Sequence, residues 1–107
     1  MSDLTLPERP TLQDLQEYVA NAVRDRGFDQ TDIAKRFMLL LEECGEFARA
    51  ARKQAGIKFA EDTHMAELSH EAADVLIVLL GICTMLDVDL EQAFRGKEEL
   101  NKKRTWK

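Results

Sequence analysis

The chain has 107 residues, the size of one domain, and 45% of them are hydrophobic, enough for one modest core and too many for a disordered chain. With 20 acidic residues against 15 basic and a net charge of −5, broad nucleic-acid binding is excluded, because affinity for the phosphate backbone rests on Lys and Arg. Both prolines, Pro7 and Pro10, lie at the N-terminal end, so the rest of the chain is free of that helix breaker.

Residues 1–10 read as an irregular lead-in without the apolar segment of a secretory signal. Thr11 predicts an N-cap: Asp14 follows three residues later, and Leu12, Leu15, Val19 and Val23 recur at helical spacing. Gly27 should end this first helix just past Arg26. Residues 29–32 offer a fresh cap, and a second helix is expected from there to Gln54, stopped by Gly56. Within it Phe37, Leu41, Cys44, Ala48 and Ala51 recur at steps of four and three, which predicts a core-facing stripe. A third helix, capped at Asp62-Thr63, should run to Leu86. Its second half, VLIVLLGICTML, is apolar almost all round and so must be buried all round. Four short helices can hardly surround one of their own, so residues 75–86 are expected in a subunit interface. That run is also shorter than the roughly 18 residues needed to span a bilayer. A fourth helix, capped by Asp89, covers Leu90 to about Lys103, weakly amphipathic through Leu90, Ala93 and Phe94.

These elements predict a single all-α domain, a four-helix antiparallel bundle assembling as a homodimer or homotetramer. It is expected to be soluble and cytoplasmic, with neither membrane nor nucleic-acid partners. Cys44 and Cys83 are too few for a disulfide framework and read as buried free thiols. The charge is uneven: residues 95–107 carry a local +4 through Arg95, Lys97, Lys102, Lys103, Arg104 and Lys107 against Glu98 and Glu99, leaving −9 on the rest. A basic tail on an acidic body suits a small anionic ligand held between a metal and the tail.

Acid on faces that should be apolar is the informative feature. Glu43 has Leu40 three residues before it and Phe47 four after, and Glu42 and Glu46 stand on adjoining faces. In the third helix Glu71 and Asp74 form an i,i+3 pair flanked by Leu68, Val75 and Val78. If the two helices form a hairpin about residues 56–61, residue i faces residue 117−i, which sets Glu43 and Glu46 opposite Asp74 and Glu71. Four carboxylates converging there form an oxygen cage suited to Mg²⁺ or Mn²⁺. The same register separates Cys83 from the level of Cys44 by about 15 Å of helix rise, excluding an internal disulfide. The ExxH strings ending at His64 and His70 resemble those of di-iron bundles, but both lie in one segment, so the two histidines read as surface residues or supports of the site. Alternatives to catalysis are a helical cation-binding interaction module, adaptor or antitoxin-like, and a di-iron carboxylate protein.

The string Glu42-Glu43-Cys44-Gly45-Glu46 followed by Glu71-Ala-Ala-Asp74 resembles the EExxE…ExxD signature of the MazG-like all-α nucleoside triphosphate pyrophosphohydrolases. FMLLLEECGEFARAARK and HEAADVLIVLLGIC are similar to that family's second and third helices, and Lys97-Glu-Glu-Leu-Asn101-Lys-Lys-Arg104 to its KxxxNxxR ending. The likeness covers residues 11–104. It implies Mg²⁺-dependent hydrolysis of a (deoxy)nucleoside triphosphate to the monophosphate and pyrophosphate, as in nucleotide-pool cleaning. Related dUTPase and phosphoribosyl-ATP pyrophosphatase branches share the acids. The resemblance implies that Glu43, Glu46, Glu71 and Asp74 are the metal ligands and that Glu42 orients or deprotonates the attacking water. Lys53, seven residues beyond Glu46, would meet the outgoing phosphates. Lys97, Asn101 and Arg104 would close over the substrate, from the same or a neighbouring subunit. Phe28 and Trp106 are candidate stacking partners for the base, weighed against packing. Cys44-Gly45 departs from a helix-favouring motif, the Gly weakening the helix by about 1 kcal/mol relative to Ala.

Overall fold

The structure, a computed structural model, describes residues 4–27, 32–56 and 61–104, with side chains described outside 54–66. Phe28, Trp106 and the side chain of His64 lie outside the described residues. Four helices and no strand appear among them: α1 (Leu12–Asp25), α2 (Ile33–Gly56), α3 (Glu61–Met85) and α4 (Leu90–Lys102).

The starts follow the expected chemistry. Thr11 Oγ1 accepts from the Asp14 backbone N–H at 3.0 Å and the Thr11 N–H donates to the Asp14 carboxylate at 2.9 Å, a reciprocal capping box. Asp32 accepts from the Ala34 N–H at 2.9 Å, and Asp89 from the Gln92 N–H at 3.1 Å. Gly27 ends the first helix with φ +76°, a left-handed conformation that glycine adopts without a side-chain penalty.

Packing departs from a regular bundle. α3 is the central element, lying against both α2 and α1, while α4 rests on α1. Leu80, Ile82 and Cys83 are buried within the chain itself, with Leu80 only 1% exposed. This corrects the expectation that residues 75–86 as a whole form a subunit interface: α1 and α2 between them cover the middle of that run. Only Ile77, Met85 and Leu86 remain exposed there among its large apolar side chains. By length and mean hydropathy alone (1.6 over Glu67–Met85), α3 would suffice to cross a bilayer, contrary to the reading from the shorter apolar run. Glu71 and Asp74 fall inside that window and face acids of α2.

A second correction concerns α2. Its expected core stripe points outward: Leu41 is 73% exposed, Phe37 is 46% exposed, and Cys44, Ala48 and Ala51 are exposed too. The inward face is instead Arg36, Leu40, Glu43 and Ala50. About 100° round from the apolar stripe, α2 carries a mixed one that holds Arg36 and Glu43 between Leu40 and Ala50, and that mixed stripe is the one that meets α3. Both cysteines are free, but Cys44 is exposed where burial was expected; Cys83 is buried.

The corner joining α3 to α4 is tied to α1 chiefly through Gln16. Gln16 donates from Nε2 to the Val88 carbonyl at 2.7 Å and to Thr84 Oγ1 at 3.3 Å, while its Oε1 accepts from the Leu90 N–H at 3.1 Å. Glu91 accepts from the Gln13 N–H at 2.9 Å alongside. The chain is open, with a radius of gyration of 16.4 Å against about 13 Å for a compact chain of this length.

Candidate functional site

Glu43 and Glu46 stand one turn apart on α2, on the side that meets α3, because Leu40 and Ala50 bind that face into the packing. Glu71 and Asp74 stand one turn apart on α3, beside half-buried Leu68 and Val75. The helices meet in the anticipated antiparallel register: Glu46 acts on Glu71, and Asp74 on Glu43.

Glu43, Glu46 and Glu71 each bring a carboxylate oxygen within 4.8 Å of the others. Glu43 and Glu71 are half-buried and Glu46 is exposed. Asp74 lies outside that tightest group yet close enough for its charge to act on both Glu43 and Glu71. Glu42 is exposed at the edge and adds its charge to the field on Glu43. Burial, and then the charges of Glu46, Asp74 and Glu42, hold the Glu43 carboxyl above the ordinary glutamate value of 4.5. Glu71 is raised by burial first, then by the charge of Glu46 and a hydrogen bond with it, and then by Asp74 and Glu43.

Among the described residues, every group acting on these two carboxyls through its charge is itself acidic. Moreover, Glu43 Oε2 and Glu71 Oε2 are buried with no hydrogen-bond partner. Buried acceptors are normally satisfied, and an unpaired one costs about 1–3 kcal/mol. A divalent cation would satisfy both oxygens and cancel the mutual repulsion. Oxygen donors alone favour a hard ion, so the residues fit Mg²⁺ or Mn²⁺.

The remaining candidates are not gathered into this cluster. Lys53 is half-buried about 10 Å further along α2, measured by helix rise. Lys97 and Asn101 lie on α4 with Arg104 just past its end, and α4 rests on α1 rather than on the acid-bearing face. His70 is exposed beside Glu71.

Arg36 is a residue the sequence reading passed over. It is 8% exposed, on the inward face of α2 two turns before Glu43. A Cβ on Gly81 would come within 3.0 Å of its Nη1, so α3 gives up a side chain where the guanidinium lies. The available signal was a cation at i−4 from Leu40 and i−7 from Glu43.

Residues 11–103 match the family described as phosphoribosyl-ATP pyrophosphohydrolase. Over 100 residues the chain is 30% identical to dCTP pyrophosphatase 1 of Mus musculus and 29% identical to that of Bos taurus; each alignment covers 89% of this chain and 59% of the relative. It is 36% identical over 67 residues to the dATP/dGTP diphosphohydrolase of Cyanophage S-2L, covering 63% of this chain and 51% of that protein. The chain therefore spans between half and three-fifths of the length of the curated relatives it matches. With its paired acids in register across the α2–α3 hairpin and nearly its whole length matched, the chain belongs to the phosphoribosyl-ATP pyrophosphohydrolase family of the MazG-like all-α superfamily.

Proposed function

We propose that this protein hydrolyses (deoxy)nucleoside triphosphates to the nucleoside monophosphate and pyrophosphate, with Mg²⁺ held by Glu43, Glu46, Glu71 and Asp74, as a step in nucleotide-pool cleaning. The observation that carries the reading is the three-carboxylate cluster with its two unpartnered buried oxygens, in a chain of this family. The names of the relatives, a dCTP pyrophosphatase and a dATP/dGTP diphosphohydrolase, support the substrate class.

When bound, the cation offsets the charge of the phosphates and favours ionisation of water near them. Glu42 sits beside the cluster but is not needed to build it, so its carboxylate is free to accept a proton from the attacking water. The water oxygen bonds to the α-phosphorus, the bond to the α–β bridging oxygen breaks, and pyrophosphate leaves. Lys53 meets the outgoing phosphates. Lys97, Asn101 and Arg104 complete the site from a neighbouring copy, since in their own protomer they ride on a helix packed against α1. Exposed Phe37, Met38 and Leu41, together with the open shape of the protomer, support assembly as a homodimer or homotetramer.

The deciding assay is Mg²⁺-dependent pyrophosphate release from a panel of ribo- and deoxynucleoside triphosphates in isotope-labelled water. Label should enter the monophosphate; label in pyrophosphate would mean attack at another phosphorus. The panel includes phosphoribosyl-ATP, because the matched family's description makes its hydrolysis the second reading.

A further inference from the structure

Arg36 is 8% exposed on the inward face of α2, a buried cation to which the proposed reaction gives no part. It lies over Gly81, the one glycine of α3. A Cβ on Gly81 would stand 3.0 Å from Arg36 Nη1 and 3.8 Å from a methyl of Val19 on α1. Glycine weakens a helix interior, yet here it opens a gap that the guanidinium fills. The contact falls in the register of the acids, with residue i facing residue 117−i: Arg36 meets Gly81, Glu43 meets Asp74 and Glu46 meets Glu71. Leu39 and Val78, a further pair in that register, line one cleft. Arg36 stands seven residues before Glu43 and Gly81 seven after Asp74. On both helices the contact is thus two turns, about 10 Å of rise, from the carboxylate cluster.

Two forces act against the seating of α2 on α3. Its outward stripe, Phe37, Leu41, Cys44, Ala48 and Ala51, is more apolar than the face that packs, so burial within one chain favours rolling the helix by about 100°. The carboxylates that meet across the pair also repel one another. A roll, or a slide of one residue, would carry Glu43 and Glu46 off their partners. We propose that Arg36, lodged in the gap at Gly81, is a positioning residue that pins the rotation and register of α2 and so holds the four acids together for the metal. A slide of one residue would set the guanidinium against Leu80 or Ile82, whose side chains already fill the core. The pin works by volume rather than by charge, because among the described residues no cation acts on Glu43 or Glu71. It rests on the reading of the acid cluster as a metal site, and half of its test is therefore made without metal.

The first measurement is the calorimetric Kd for Mg²⁺ in the wild type, Arg36→Met, Arg36→Ala and Arg36→Ala/Gly81→Met, each checked for helicity by circular dichroism. Met keeps the reach of the side chain without its charge, and Arg36→Met should bind Mg²⁺ like the wild type. Arg36→Ala empties the gap and should bind about 10–100-fold more weakly, the scale of losing a support of a metal ligand. In the double variant a Met on α3 refills the gap and should recover most of that loss. With Mn²⁺ in place of Mg²⁺, water-proton relaxation should report more water on the ion in Arg36→Ala, which a mere loss of stability would not produce. The second measurement is the metal-free distance between spin labels at Arg49→Cys and His70→Cys, exposed on α2 and α3, in a Cys44→Ser/Cys83→Ala background diluted with unlabelled chain. The distance should be single and narrow while the gap is filled, and broad or shifted in Arg36→Ala. Gly81→Leu, which crowds the guanidinium out of the gap, should weaken Mg²⁺ binding and broaden the distance in the same way, and it decides the matter if Arg36→Ala does not fold. Wild-type Kd and distance in Arg36→Ala or Gly81→Leu overturn the proposal, as does an Arg36→Met as weak as Arg36→Ala. If the wild type binds neither Mg²⁺ nor Mn²⁺ while the distances behave as stated, the metal reading fails and the pin stands.

Discussion

Glu43 and Glu71 are carboxyls raised by burial and by neighbouring acids, and predictions at the scale of single residues follow from that. Glu71 has a raised carboxyl in the fold, so above the ordinary value of 4.5 the folded protein binds more protons than the unfolded chain. Stability then falls as pH rises through that window. In the absence of divalent metal, Glu71→Gln should melt above the wild type at pH 7, with the advantage shrinking toward pH 4.5. Adding Mg²⁺ should raise the wild-type Tm by mass action and leave Glu71→Gln or Asp74→Asn unmoved. Variants that respond to Mg²⁺ like the wild type would dismiss the cage. Glu42→Gln should keep the Mg²⁺ response and nucleotide affinity but lower kcat by about 10²–10⁴, the loss typical of a general base. Gly45 offers a cleaner stability test, because a Cβ there meets no atom within 4 Å. Gly45→Ala should stabilise α2 by about 1 kcal/mol, a Tm gain of roughly 4–8 °C, unless a second copy approaches that backbone closely.

Among the helices, α4 depends on a slender tie. Gln16 joins α1 to the Thr84 hydroxyl and to the backbone of Val88 and Leu90, Glu91 adds a bond to the Gln13 N–H, and no large apolar side chain of α4 is buried: Phe94 is 65% exposed and Leu100 59%. Gln16→Ala removes the partner of the Val88 carbonyl and the Leu90 N–H, both within reach of water, at a cost of about 1 kcal/mol. Amide exchange should quicken across α4 and the corner before it, while the α2–α3 hairpin keeps its protection. If α4 places Lys97 and Arg104 over the substrate, Gln16→Ala should also raise KM with little change in kcat. Lys97→Ala or Arg104→Ala should do the same directly, more strongly at low salt where charge attraction is least screened.

The whole molecule is more open than its core requires. Apolar side chains of α2 that a single chain would hide (Phe37, Met38 and Leu41) face outward, and Leu41→Asp tests whether a second copy covers them. The wild type should scatter light as a dimer or tetramer at micromolar concentration and the variant as a folded monomer. A wild-type monomer would remove the assembly argument. Ile82→Asp is the contrast: at 3% exposure it sits in the protomer's own core and should unfold the chain. If the tail serves the neighbouring subunit, mixing Glu42→Gln with Arg104→Ala protomers should, at substrate concentrations below the raised KM, give more activity than the sum of the two variants alone. The sequence by itself determined the helices, their caps at Thr11, Asp32 and Asp89, and the pairing of Glu43 and Glu46 with Asp74 and Glu71, because capping, periodicity and hairpin register act over a few residues or along one axis. Only the tertiary structure decided which stripe of α2 faces inward, that Leu80, Ile82 and Cys83 of α3 are buried by their own chain, and that Arg36 lies over Gly81. Periodicity favours the more apolar stripe, whereas the face that packs within one chain is chosen by the shape and depth of packing and by the carboxylates that meet across it, which periodicity does not encode.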